Sequence, residues 1–120
     1  MTDIYTAQYS YPGDDRLDIT VKGQHPVGKI FSPSWTMVTR VKSGQITPEQ
    51  YEEMYRAILK VIPEGVYSEL KKRESLVLVC FCKPFTFCHR VTLAHELHAK
   101  GIGKYLGEKL LDADQKRVLR

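Results

Sequence analysis

Leu76-Val77-Leu78-Val79-Cys80-Phe81-Cys82 is the stretch on which the fold turns. It is apolar at both parities, the pattern of a strand covered on both faces in a parallel sheet. In an extended chain Leu76, Leu78, Cys80 and Cys82 share one face, and Val77, Val79 and Phe81 the other. The run empties into the turn Lys83-Pro84-Phe85-Thr86-Phe87 and then into Cys88-His89-Arg90, where a helical pattern begins. A strand that passes through such a turn into a helix marks the end of an open α/β sheet where ligands bind.

Upstream of this run, Ile4 to Ser10 carries Tyr5, Ala7 and Tyr9 at alternating positions and reads as a first strand. Tyr11-Pro12-Gly13-Asp14-Asp15 is a turn signal. Leu17 to Val21 alternates apolar and polar residues, as a half-exposed strand or hairpin arm does, and Lys22 to Ile30 reads as loop. Ser32-Pro33 opens a short helix to about Lys42, on which Trp35, Val38 and Val41 lie three apart. Thr47-Pro48-Glu49-Gln50 is a capping box, followed by Met54, Ala57, Ile58 and Val61 as one apolar face, and Pro63 stops the helix. Val66 to Lys72 predicts a further short helix.

Downstream, His89 to Lys100 predicts a helix with Leu93 and Leu97 inward and Gly101 as its stop. Tyr105-Leu106-Gly107 predicts a last short strand, and residues 111–120 read as a frayed tail. Strands alternating with helices give the α/β class: one small domain over 1–120, with a mostly parallel sheet and flanking helices.

The 120 residues suit one compact core. A hydrophobic fraction of 42% and a charged fraction of 27% are ordinary for a globular protein. The longest uninterrupted apolar run, Leu76 to Cys82, is far shorter than the roughly 20 residues of a membrane helix. No secretory leader is visible at the start. The three cysteines, an odd count, point to free thiols in a reducing cytoplasm rather than to a disulfide scaffold. A net charge of +4 favours anionic partners, such as a nucleotide-like or phosphorylated small molecule. Nucleic acid is less favoured, because the dense basic stretches are only Lys71-Lys72-Arg73 and the tail.

His89 and Arg90 fall in a helical first turn, where unpaired amides and the helix dipole favour anions, and Lys83 sits in the loop before them. Three chemistries fit. A thiolate at Cys88 or Cys82 is favoured by Lys83, His89 and Arg90. Non-covalent anion recognition fits Arg90 as a bidentate donor. Metal binding by the cysteines and His89 fits least, because Cys80 and Cys82 in one strand are awkward zinc ligands, and no metal or cofactor is assigned. Cys80 itself reads as a small buried hydrophobe.

Three motifs in this order resemble the domain-of-unknown-function family 488, from about Ile4 to Leu111. They are Tyr11-Pro12-Gly13-Asp14-Asp15-Arg16-Leu17-Asp18-Ile19-Thr20, Phe31-Ser32-Pro33-Ser34-Trp35, and the strand cysteine followed by Cys88-His89-Arg90. The resemblance implies a small Rossmann-like α/β domain with polar residues gathered at one end of the sheet. It implies no settled reaction, and a role near nucleotides or nucleic-acid metabolism only by analogy of fold. The family's more usual arginine- and proline-rich loop after the first strand is replaced here by the tyrosine, glycine and aspartate turn, with Arg16 the only local substitute.

Ends of neighbouring parallel strands lie side by side, so the first turn is expected to meet the helix start. On that expectation Cys88, His89 and Asp15 are the candidate catalytic groups. Arg90, Arg16, Tyr11, Lys83, Cys82 and Trp35 are the candidate ligand-binding groups, with Trp35 as a flat wall for a base or sugar. Whether the cleft turns a ligand over or only holds it is left open.

Overall fold

The structure is a computed structural model that describes residues 2–81 and 89–109. Cys82, Lys83, Cys88 and the predicted tail therefore lie outside the described residues. Four strands form one sheet: β1 (Thr2–Gln8), β2 (Arg16–Asp18), β3 (Ser75–Cys80) and β4 (Gly103–Lys109), in the spatial order β2-β3-β1-β4. Every pairing is parallel, with Thr6 opposite Leu78 and Gln8 opposite Cys80 in the central pair. The helices are α1 (Trp35–Lys42), α2 (Pro48–Lys60), α3 (Glu64–Lys71) and α4 (His89–Ala99), with a 3-10 turn at Gly28–Phe31. This is the Rossmann-like α/β arrangement that the apolar run demands.

The run earns its central place by burial. Leu76, Val77, Leu78 and Val79 are all fully buried, and Cys80 nearly so. Leu76, Leu78 and Cys80 join Ile4 and Leu17 against Tyr51, Tyr55 and Leu59 of α2, Tyr67 and Leu70 of α3, and Leu93, Ala94 and Leu97 of α4. Val77, Val79 and Ala7 form a smaller cluster on the opposite face, beneath Tyr5, Tyr9 and Tyr11.

Three expectations are corrected. The segment after the first turn is not a hairpin arm: β2 runs parallel to β3, Leu17 opposite Leu78, and the amide of Val77 donates to the carbonyl of Asp15. A crossover of this kind from β1 skips over β3, so the alternation of Leu17 and Ile19 reflects an edge strand buried on one side. The α1 helix starts at Trp35 with Ser34 as its cap, whose Oγ accepts from the amide of Met37, while Ser32 donates to the carbonyl of Lys29. On α2 the buried face is Tyr51, Tyr55 and Leu59, and Met54 and Val61 face outward. The capping box at Thr47 and Gln50 forms as read, with both reciprocal bonds present.

Candidate functional site

A cleft of about 480 Å³ opens beyond the carboxyl ends of β2 and β3. Cys80 and Phe81 enter it from β3, Thr20 to Lys22 from the segment after β2, and His89 from the first turn of α4. Trp35, Val38, Val41 and Lys42 of α1 and Tyr51 of α2 close the other side. The stripe Trp35-Val38-Val41, three residues apart, thus faces a cavity at one end of the core. Trp35 is 54% exposed, and Lys22 Nζ stands 5.2 Å from the centroid of its ring, a cation–π contact. Among the described residues the lining contains two lysines and no carboxylate.

The segment after β2 is held in shape by Asp18. Its Oδ1 accepts from both the amide and the hydroxyl of Thr20, and its Oδ2 accepts from the Tyr9 hydroxyl. The chain at Gly28 crosses so close that a Cβ there would sit 2.0 Å from the Asp18 carbonyl oxygen, so only glycine fits. Tyr9 stacks on Phe81 at 4.3 Å, joining the end of β1 to the rim of the cleft.

His89 is buried and donates from Nε2 to the carbonyl oxygen of Ile19 at 2.8 Å, which places the proton of the neutral ring on that nitrogen. Its ring meets Tyr55 edge to face at 5.4 Å. Burial pushes its pKa below the ordinary histidine value, and the neighbouring Arg90 acts in the same direction. The imidazole is therefore neutral at neutral pH.

Arg90 is fully buried and turned toward protein groups. Nε and Nη2 donate to the two carboxylate oxygens of Glu108 at 3.3 and 3.0 Å, and Nη1 donates to Cys80 Sγ at 2.9 Å. Glu108, on β4, is itself only 5% exposed in its side chain, so this ion pair is internal. Arg90, a candidate ligand-binding group in the sequence, stands behind Cys80 and is not among the described lining residues of the cleft.

Tyr11, Asp15 and Arg16 sit apart from the cleft lining. Because β2 pairs from Arg16 opposite Val77, Asp15 comes to lie beside Ser75 at the start of β3, not at its end. Asp15 accepts from Ser75 Oγ at 2.6 Å and from the Tyr11 hydroxyl at 2.8 Å. Burial raises the Asp15 carboxyl, but these bonds outweigh it and hold the group below the usual carboxylate range. Burial and the bond to Asp15 raise the Tyr11 phenol. Arg16 lies over the Tyr9 ring and donates from Nη2 to the Tyr9 carbonyl. The expectation that Asp15 joins His89 and Arg90 in one cleft is thus corrected by the strand register, which instead sets Asp18 opposite Val79 toward that end of the sheet.

Lys22, Lys42 and Tyr51 were not singled out from the sequence, and Glu108 carried no signal at all. Lys42 ends the same helix as Trp35, so helical spacing alone brings the two to one site; Glu108 depends on the β4 register, which no local pattern records. Among the described residues no group of three or more histidine, cysteine or acidic side chains is placed to hold a metal. Among the same residues no helix is long and apolar enough to cross a membrane.

A parallel sheet with a cleft beyond its carboxyl ends defines the class: a small Rossmann-like α/β protein with its candidate site at the strand-to-helix junction. Within that class the chain belongs to the DUF488-N3a family, whose model, described as the active DUF488-N3 subclade, matches residues 19–101. Comparison with curated proteins and with solved structures returned no match.

Proposed function

We propose that this protein binds an anionic, nucleotide-like small molecule in the cleft between α1 and the end of β3, and acts on it catalytically. The observation that carries the reading is the described lining itself: a half-exposed Trp35 backed by Val38 and Val41, with Lys22 and Lys42 beside it and, among the described residues, no carboxylate. A flat ring stacks on an indole, and ammonium groups attract the phosphate attached to it. The family's description as an active subclade supports catalysis over storage. The reading includes a cytoplasmic setting, where a thiol such as that of Cys80 stays reduced.

Trp35 is the single tryptophan of the chain, so its fluorescence reports the cleft directly. Titration with AMP is expected to quench it saturably, adenosine to bind more weakly, and Lys22→Ala to remove the difference between the two. Absence of quenching by AMP, ADP and pyrophosphate would sink the nucleotide-like reading. Saturable binding with intact AMP and ADP recovered by chromatography after long incubation would make the protein a binder rather than an enzyme.

A further inference from the structure

We infer that Cys80 is held as a thiolate at the floor of the cleft and is the nucleophile of this site. Cys80 is the last residue of β3, lies on its helix-facing side, and lines the cleft although only 2% of its surface is exposed. Its sulfur is the acceptor for Arg90 Nη1 at 2.9 Å. The direction of that bond is fixed, because a guanidinium has five donors, no acceptor and no accessible neutral form. A thiol is a weak acceptor, whereas a thiolate is a strong one, so a buried guanidinium N–H aimed at sulfur favours the ionised form.

Two further observations point the same way. Arg90 is not loose: the bidentate pair with Glu108 uses Nε and Nη2 and fixes the plane of the fork, leaving Nη1 directed at the sulfur. Glu108 is therefore a positioning residue, acting through Arg90. On the open side, the described lining of the cleft offers the sulfur Lys22 and Lys42 and no acidic side chain, so charge among these residues also favours an anion. The adjacent His89 has its Nε2 proton committed to the carbonyl of Ile19.

Such a thiolate serves a ligand in which the anomeric carbon of a sugar bears an anionic leaving group such as phosphate. The sulfur lone pair forms a bond to that carbon, and the carbon–oxygen bond breaks with its electron pair leaving on phosphate. Water then adds to that carbon as the sugar ring oxygen assists departure of the sulfur, giving the free sugar, a proton released to solvent, and the thiolate restored. The substrate class rests on the nucleotide-like reading above; the thiolate does not.

The test is alkylation of the native full-length chain by iodoacetamide across pH 5 to about 9.5, above the ordinary thiol value of about 8.5. In this probe reaction a carbon–sulfur bond forms and iodide departs. Tandem mass spectrometry of the tryptic peptide from Glu74 to Arg90, which stays whole across Lys83-Pro84, reads Cys80 separately from Cys82 and Cys88. The rate at Cys80 is expected to titrate about two pH units below that of the same cysteine in the guanidinium-denatured chain. Arg90→Lys, which cannot supply the fork, is expected to move that midpoint up by about one unit with the circular dichroism spectrum retained. If Arg90→Lys fails to fold, the profile of the unaltered protein decides alone. A native midpoint at or above that of the denatured chain, or no modification of Cys80 anywhere in the range, overturns the proposal. Alkylation with a depressed midpoint but no quenching of Trp35 by AMP would leave the thiolate standing and remove the nucleotide-like reading; the reverse pair would do the opposite.

Discussion

At the scale of single residues, the pair Arg90–Glu108 is where burial changes the meaning of a motif. An arginine after Cys-His at a helix start reads as an anion binder, because unpaired amides and positive charge coincide there. That reading was legible; the carboxylate that claims the arginine was not, because Glu108 lies 18 residues on and reaches Arg90 only through the β4 register. Breaking one partner of an internal ion pair leaves the other charge buried, so Glu108→Gln is expected to cost about 3–5 kcal/mol in urea denaturation. The exposed pair Lys72–Glu69 makes the contrast, since Glu69→Gln should change stability by less than about 0.5 kcal/mol. His89 adds a pH signature. Its folded pKa lies below the unfolded value near 6.5, so below that value the unfolded chain binds more protons. Its contribution to stability is complete above pH 6.5 and is lost as the pH falls from there toward the folded pKa. His89→Gln should flatten this acid limb in denaturation curves measured from pH 7 to pH 5, and an unchanged limb would assign it to other groups.

At the scale of elements, what is written locally was legible and what is written by packing was not. The capping box of α2 is a four-residue signal and forms as its sequence demands, with the Thr47 amide donating to Gln50 Oε1 and Thr47 Oγ1 accepting from the Gln50 amide. Thr47→Ala is expected to lower stability by about 1 kcal/mol in thermal or urea unfolding, and Thr47→Ser to restore most of it. The inward face of the same helix is legible only at Ile58, which packs against the core, because Met54, Ala57 and Val61, which are exposed, satisfy helical spacing as well as Tyr51, Tyr55 and Leu59 do. Ranking by hydropathy favours the former, yet the tyrosines bury larger rings and satisfy their hydroxyls inside: Tyr55 donates to the carbonyl of Phe31, and Tyr67 of α3 to that of Leu59. The second strand shows the same limit. Alternation at Leu17 and Ile19 marks a strand buried on one side, but parallel and hairpin partners demand the same alternation.

At the scale of the whole molecule, the central apolar run made the parallel sheet legible, and the order β2-β3-β1-β4 decides which parts of the chain meet at its carboxyl end. It gathers Cys80, His89 and the segment after β2 there and sends Asp15 to the other end. The cleft so formed combines a charge of +4 over the chain with a lining that holds, among the described residues, two lysines and no acid. These lysines act largely through solvent, where the screening length is about 10 Å at 0.1 M salt and about 3 Å at 1 M. The stacking wall of Trp35, Val38 and Val41 is apolar and does not weaken with salt. The affinity for AMP should therefore fall as salt is raised, while the weaker affinity for adenosine stays nearly constant. Fluorescence titrations at low and high potassium chloride measure both. Parallel loss of AMP and adenosine would mean that salt perturbs the cleft itself, and equal insensitivity would mean that the lysines take no part in holding the phosphate.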